Sequence, residues 1–210
     1  KIQALQPGDT LQMRGGTYTY SFYCGINICF PNGTATAPIT IASTPGELAV
    51  IKPSSGVRCF NFNNNQYIIL DGLLIDGISV GYDGIQIEGT SNHLTVKNTE
   101  VKNCKNMGIN LGPDANYQTL QNVKVSNVGT SGGVAGFDPG QAHAIYIPSK
   151  FNVVDHATIF NITGYGVHIY NGYSGKTTDY NTVQSCNIQN VGTYKVGGSS
   201  TAAGIIISHR

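Results

Sequence analysis

Tyr146, His168 and Tyr170 are the residues whose types and spacing best suit chemistry. They alternate with aliphatic residues in Ile145-Tyr146-Ile147 and Val167-His168-Ile169-Tyr170, so all three side chains are predicted to leave the same face of neighbouring strands. A histidine can act as a general base and a tyrosine as a proton donor, and β-elimination needs both roles. The alternative interpretation is that these are exposed sheet residues without a catalytic role.

Polar side chains occupy the outward positions of the preceding strands. Amides next to aromatic rings suit the hydroxyl groups and ring faces of a polysaccharide. We therefore predict substrate-binding roles for five residues: Asn61, Gln86, Glu88, Asn110 and, at the edge, Arg58.

Three carboxylates near the same strands are candidate metal ligands. Asp83 and Glu88 flank one outward strand, and Asp114 follows the next. Calcium prefers several oxygen ligands, so it is the one candidate cofactor. The alternative, which we favour, is that all three are solvated turn carboxylates.

An internal repeat predicts the scaffold for these side chains. Segments beginning at five positions align without gaps: Tyr67, His93, Tyr117, Phe151 and Tyr180. Their first position is always an aromatic ring, for which packing is the simplest explanation. The fourth position is always aliphatic and the ninth always β-branched: Leu70, Val96, Leu120, Val154 and Val183, and then Ile75, Val101, Val125, Ile159 and Ile188.

A further short strand precedes each aligned segment, as in Gly84-Ile85-Gln86-Ile87 and Gly108-Ile109-Asn110-Leu111. Each repeat thus holds three short strands, and each strand resembles its counterpart one repeat away, as parallel stacking requires. The pattern predicts an all-β fold, a right-handed parallel β-helix in which a single chain forms a solenoid over residues 1–210.

The eleventh column predicts an asparagine ladder inside the solenoid. Asparagines in register can pass amide hydrogen bonds from coil to coil, which satisfies buried turn carbonyls. The predicted ladder is formed by Asn103, Asn127, Asn161 and Asn190. Asn161 should then point inward, and its Asn-Ile-Thr sequon should remain unglycosylated.

Long insertions indicate which sheet would bind a ligand. The segments 129–141 and 192–202 precede the Gly-Ile-x-Ile type of strand, and the segment 171–178 follows one. All three loops should border the sheet that carries Tyr146 and His168. Loops gathered on one face of a solenoid usually build its binding surface.

Composition restricts the compartment and the partners. The net charge is +1 with 11% charged residues and no basic stripe, which argues against nucleic acid as a partner. No apolar run is long enough to insert into a membrane. Among five cysteines, Cys24 and Cys29 are close enough in sequence to form a disulfide. Together with Asn32 as a candidate glycosylation site, this predicts a secreted, extracellular protein.

The stacked coils with an asparagine column resemble the pectate-lyase superfamily of right-handed β-helices. The opening segments Leu5–Thr10, Gly15–Tyr18 and Pro38–Ile41 resemble the N-terminal region of its alginate-lyase and chondroitin-lyase branch. The resemblance implies cleavage of acidic polysaccharides by β-elimination, commonly with a Lys or Arg base and calcium. This sequence departs from that pattern, because the sheet bordered by the loops shows no Lys/Arg pair.

Two functions follow from these observations. The first is a secreted domain that binds an acidic polysaccharide and cleaves it as a lyase. The second is a non-catalytic extracellular module, structural or adhesive. The last coil, beginning at Ile205, is incomplete, so we expect the chain to be part of a longer protein or to assemble with other chains end to end or side by side.

Overall fold

Short strands of three to six residues account for most of the ordered structure in a computed structural model. The model describes residues 2–20, 30–53, 58–77, 82–130, 141–193, 195–196, 199–200 and 203–209. After a 3₁₀ turn at Ile2–Ala4, the strands are β1 Thr10–Met13, β2 Gly16–Tyr20, β3 Ile39–Ser43, β4 Ala49–Pro53, β5 Phe60–Asn63, β6 Ile68–Asp71, β7 Leu74–Asp76, β8 Asp83–Glu88, β9 Thr95–Lys97, β10 Glu100–Lys102, β11 Met107–Leu111, β12 Thr119–Gln121, β13 Lys124–Val128, β14 Ile145–Ile147, β15 Val153–Asp155, β16 Thr158–Ile162, β17 Val167–Asn171, β18 Thr182–Gln184, β19 Asn187–Val191, β20 Lys195–Val196, β21 Ser199–Ser200 and β22 Ile205–His209.

The strands form three parallel sheets that wind as a right-handed β-helix, which confirms the predicted fold. Sheet A is β1-β3-β6-β9-β12-β15-β18, and sheet B is β2-β4-β7-β10-β13-β16-β19. Sheet C is β5-β8-β11-β14-β17-β22. Only β20 and β21 pair antiparallel among the described strands. In the described part of the chain, no helix has the length and apolar character needed to cross a membrane.

Equivalent positions of the repeat lie directly above one another, as predicted. In sheet A, Leu120 pairs with Val96 and with Val154. In sheet B, Val125 pairs with Val101 and with Ile159. These side chains are at most 1% exposed, so the aliphatic columns form the core. Burial of these apolar rows supplies the main driving force for folding.

The asparagine ladder is present, but its predicted burial is wrong. The Nδ2 group of Asn103 donates to Asp76, and Asn127, Asn161 and Asn190 continue the chain of amide hydrogen bonds. The first three asparagines are half-buried and Asn190 is exposed. All four have φ between 48° and 57°, a left-handed turn conformation that asparagine tolerates better than most residues. The left-handed turn conformation therefore explains why asparagine recurs at the eleventh position of the repeat.

A second, buried polar ladder was not recognised in the sequence. Asn65, Gln118 and Asn152 are at most 4% exposed, and their side-chain amides bond to other coils or loops. Asn181 extends this ladder by accepting from both the backbone and the side-chain amide of Asn152. These amides satisfy polar groups that the core would otherwise leave unpaired.

The aromatic column is a continuous ring stack. Centroids of successive rings are 4.8 to 5.2 Å apart, with interplanar angles of at most 17°. The packing interpretation is therefore confirmed. Each of these residues also has a positive φ, between 53° and 61°, which is an uncommon conformation for an aromatic residue. The favourable energy of ring stacking offsets the conformational energy of the positive φ angles.

Candidate functional site

Five of the predicted site residues lie in one continuous row on sheet C. Pairing between neighbouring strands puts one residue of each coil beside the next: Asn61, Gln86, Asn110, Tyr146, His168 and Ile206. Tyr170 lies beside Ser208 in the parallel row two positions further along the strands. Alternating side chains such as Ile145 and Ile147 enter the core, so the strand register holds the row on the opposite face.

Six rings surround the centre of this row and are called the aromatic cluster: His143, Tyr146, Tyr165, His168, Tyr170 and Tyr173. The ring of His168 lies 5.3 Å from that of Tyr146 and 5.4 Å from that of Tyr170, measured between centroids. Tyr173, in the loop after β17, has its ring 6.3 Å from that of Tyr170. The structure thus brings together the three residues predicted as catalytic.

Sequence reasoning missed His143, Tyr165 and Tyr173. A signal was present, because His143 and Tyr165 both stand directly before the small residue that opens a sheet C strand. The two rings stack with centroids 5.0 Å apart. His143 is 3% exposed and lies beneath His168, with its ring edge-on to that of His168.

Hydrogen bonds fix the tautomers of the two histidines. The backbone N–H of Tyr165 donates to Nδ1 of His143 at 3.0 Å, so this nitrogen carries a lone pair. The proton of neutral His143 is then on Nε2, 3.0 Å from Nδ1 of His168. His168 in turn carries its proton on Nε2 and donates to Oγ of Ser208 at 2.8 Å. We call this chain of donors the histidine relay.

Burial keeps the side chains of His143, His168 and Tyr146 neutral. Burial and the neighbouring His168 lower the pKa of His143 to about 3, and burial also lowers the pKa of His168. Burial, followed by a hydrogen bond with Tyr173, raises the pKa of Tyr146. At neutral pH the side chains of His143, His168 and Tyr146 are therefore uncharged.

The predicted role of His168 as a general base does not fit this arrangement. A base needs a free lone pair, but Nδ1 of His168 accepts from His143 and Nε2 carries a proton. All the donors of the histidine relay point towards Ser208. The hydroxyl hydrogen of Ser208 is then available to donate to an acceptor above sheet C.

The buried Asp83 and the half-buried Arg58 form a polar pair beside the row. The carboxylate of Asp83 is 1% exposed and accepts from Nε of Arg58 at 3.3 Å. It also accepts from the amides of Asn106 and Asn110 and from the backbone N–H of Met107. Burial raises the pKa of Asp83, while Arg58 and these donors oppose the shift. Arg58 therefore supports Asp83, and because its side chain is still 32% exposed, its contact with substrate stays a prediction.

The three predicted calcium ligands are not brought together. Both oxygens of Asp83 already accept from protein donors. Glu88 accepts from the amide of Gln86, and Asp114 forms an ion pair with Lys176 at 2.6 Å. Nowhere in the described residues do three His, Cys, Asp or Glu side chains form a group able to hold a metal. These residues do not fit a calcium ion, and no step is assigned to one.

The remaining predicted sites differ in their accessibility. Asn61 and Gln86, expected to face solvent, are only 4% and 9% exposed, and the side-chain oxygen of each has no hydrogen-bond partner. Asn110 is half-buried, so it is the most accessible amide of the row. Asn32 is exposed and its Oδ1 accepts from the backbone N–H of Gln66. Cys24 and Cys29 lie outside the described residues.

Comparison with known proteins agrees with the coil geometry. A family model described as "Right handed beta helix region" matches residues 48–209. The chain belongs to this right-handed β-helix family. Among solved structures, the crystal structure of pectate lyase Pel9A matches this β-helix protein with a TM-score of 0.67 and 16% sequence identity. The match covers 99% of this chain and 54% of that chain.

At that identity, the likeness to pectate lyase Pel9A shows a shared fold. The β-helix protein spans about half the length of the lyase (54%). No curated protein matches its sequence. Any activity must therefore be argued from the residues of sheet C.

Proposed function

We propose that this β-helix protein binds an extended polysaccharide along the outward face of sheet C. The observation that carries the proposal is the aromatic cluster set in register with the amide of Asn110. Uncharged rings offer faces for sugar rings, and the hydroxyl groups of Ser208 and Tyr170 offer polar contacts for sugar hydroxyls. The likeness of the fold to pectate lyase Pel9A supports a carbohydrate ligand.

The geometry favours binding over cleavage. Among the described side chains at sheet C, His168 has no free lone pair, and Nε of Arg58 donates to Asp83. Burial raises the pKa of Tyr146, which keeps its hydroxyl group protonated but makes it a weaker acid, and β-elimination also needs a base. The proposal therefore places this chain with non-catalytic extracellular modules, and assembly with other chains stays a prediction.

Replacing Tyr173 with alanine should weaken polysaccharide binding by roughly 3- to 10-fold, the usual contribution of one stacked ring. Tyr173 is 43% exposed and belongs to the aromatic cluster. Tyr180→Ala is the matched control, because Tyr180 is 77% exposed but belongs to the aromatic column at sheet A. Titration calorimetry with pectate, alginate and glycosaminoglycan oligosaccharides measures both variants.

Equal affinities for the two variants would contradict binding at sheet C. The same mixtures, followed by ultraviolet absorbance, report any unsaturated product. A rise in absorbance that Tyr146→Phe abolishes would show that the protein is a lyase and that the binding-only proposal is wrong.

We also propose an extracellular location, which predicts the glycosylation pattern. Expression in a secreting eukaryotic cell should add a glycan at Asn32 and leave Asn161 unmodified. The Nδ2 of Asn161 donates to Asn127 within the ladder, whereas Asn32 is exposed and uses only its Oδ1 as an acceptor. Peptide mass spectrometry distinguishes the sites, and Asn32→Gln should remove the mass shift. A glycan on Asn161 would contradict the prediction.

A further inference from the structure

A cleft of about 270 Å³ lies beyond the carboxyl ends of the sheet C strands, outside the row already described. Its walls include Asp114 and Asn116 from one coil, Lys150 from the next, and Lys176 and Thr177 from the loop after β17. Three consecutive coils therefore contribute to it. Its volume approaches the lower end of the range for small-molecule pockets, which suits a single sugar unit.

The charges lining the cleft do not balance. Lys176 forms an ion pair with Asp114, with Nζ and Oδ1 2.6 Å apart. Lys150 has its Nζ 5.6 Å from the ring centroid of Phe151 and forms no ion pair with a described carboxylate. The cleft thus holds two lysine cations and one carboxylate, and its excess positive charge can be neutralised by a ligand anion.

The loop after β17 joins this cleft to the aromatic cluster. Tyr173 contacts the ring of Tyr170, and the backbone N–H of Lys176 donates to the carbonyl oxygen of Tyr173 at 3.0 Å. This tight turn fixes Lys176 relative to Tyr173. A ligand that stacks on the ring of Tyr173 would therefore meet the lysine-lined cleft about one turn of loop away.

We propose that the cleft is a subsite for an anionic sugar unit, with Lys150 as its charge-recognition residue. The anion is a carboxylate or a sulfate ester, since a lysine ammonium group recognises either as a point charge. This inference rests on the proposed polysaccharide binding and adds selection by charge. Thr177 and Asn116 supply neutral polar groups on the same walls.

Lys150→Ala tests the subsite. Titration calorimetry at low ionic strength compares oligogalacturonate, its fully methyl-esterified form and a sulfated dextran oligosaccharide. Affinity for an anionic ligand should fall roughly 5- to 10-fold, as expected for one partly exposed charged contact. Affinity for the neutral ester should not change. The anionic ligand that loses affinity identifies the anion, and the loss should shrink in high salt.

Lys124→Ala is the matched control. In the unsubstituted protein, Nζ of Lys124 lies 5.5 Å from the ring centroid of Phe160. This is nearly the same geometry as Lys150 over Phe151, but it is on sheet B. The control should bind all three ligands like the unsubstituted protein. The subsite proposal is wrong if Lys150→Ala leaves anion binding unchanged, or if Lys124→Ala weakens it equally. Either result leaves the proposed polysaccharide binding intact. An unsubstituted protein that binds none of the three ligands overturns the proposed function together with the subsite.

Discussion

Acidification from pH 7 to pH 4 should lower the free energy of unfolding by about 3 kcal/mol through His143 alone. The pKa of His143 is lowered from 6.5 to about 3 in the folded chain by burial and by His168. Above pH 6.5 the ring is neutral in both states and contributes nothing. Between pH 6.5 and about 3 the unfolded chain gains a proton that the folded chain rejects, so stability is lost as the pH falls.

Two neighbouring groups modify this dependence. The pKa of His168 is also lowered by burial, so His168 adds to the loss of stability in acid. Asp83 acts in the opposite sense, because burial raises its pKa above 3.8. As the pH falls through that raised pKa, the folded chain binds the proton first, which offsets part of the loss.

Urea denaturation at several pH values, comparing the unsubstituted protein with His143→Phe, isolates the histidine. The variant should lose about 2 kcal/mol at pH 7, because the backbone N–H of Tyr165 loses its acceptor. Its stability should then fall less steeply between pH 6.5 and 4. His156→Gln replaces an exposed histidine outside the aromatic cluster and is the substitution control. Equal pH slopes for the unsubstituted protein and His143→Phe would contradict the assignment.

Nitrogen-15 chemical shifts of His168 test the histidine relay directly. The unsubstituted protein should show the Nε2–H tautomer, because Nδ1 accepts from His143. In His143→Phe this constraint is lost, and the Nδ1–H form should become populated. An Nδ1–H tautomer of His168 in the unsubstituted protein would leave the lone pair on Nε2. His168 could then act as the general base of β-elimination, and the binding-only proposal would be contradicted.

The repeat made the fold predictable, because each column records one position of the coil. Val101, Val125 and Ile159 align in the sequence and pair in sheet B. Strand alternation also placed Tyr146 and His168 side by side. The position of a side chain in such a solenoid follows from its phase in the repeat, which is a property of the sequence.

Hydrogen-bond direction and ion pairing were not predictable in this way. His168 can act as a base only if one of its ring nitrogens has a free lone pair. The N–H of Tyr165 places the proton of His143 on Nε2, and this proton then occupies the lone pair on Nδ1 of His168. Lys176 reaches Asp114 from 62 residues away through a loop with no repeat phase. The burial of Asp83 likewise depends on partners from the two adjacent coils. Such contacts arise from packing between side chains, and the sequence repeat does not predict them.

Gly108→Ala should lower the free energy of unfolding by about 2–3 kcal/mol, the effect of forcing a methyl group into a packed core. A Cβ on Gly108 would press against Cγ1 of Val125 and lie 2.6 Å from the carbonyl oxygen of Ala144. Ala144 belongs to the next coil, and its backbone bonds to Ile109. The two coils can therefore accommodate the methyl group only by separating.

Gly204→Ala is the matched control, at the same position of the repeat directly before the last sheet C strand. Its Cβ would meet Ile188 at 3.7 Å, an ordinary contact, so the change in stability should stay within about 0.5 kcal/mol. Separation at Gly108 would also displace Tyr146, two residues beyond Ala144, from Asn110. Gly108→Ala should therefore weaken polysaccharide binding even where the protein remains folded. A stable Gly108→Ala protein with unchanged affinity would show that coil spacing at sheet C does not position the ligand.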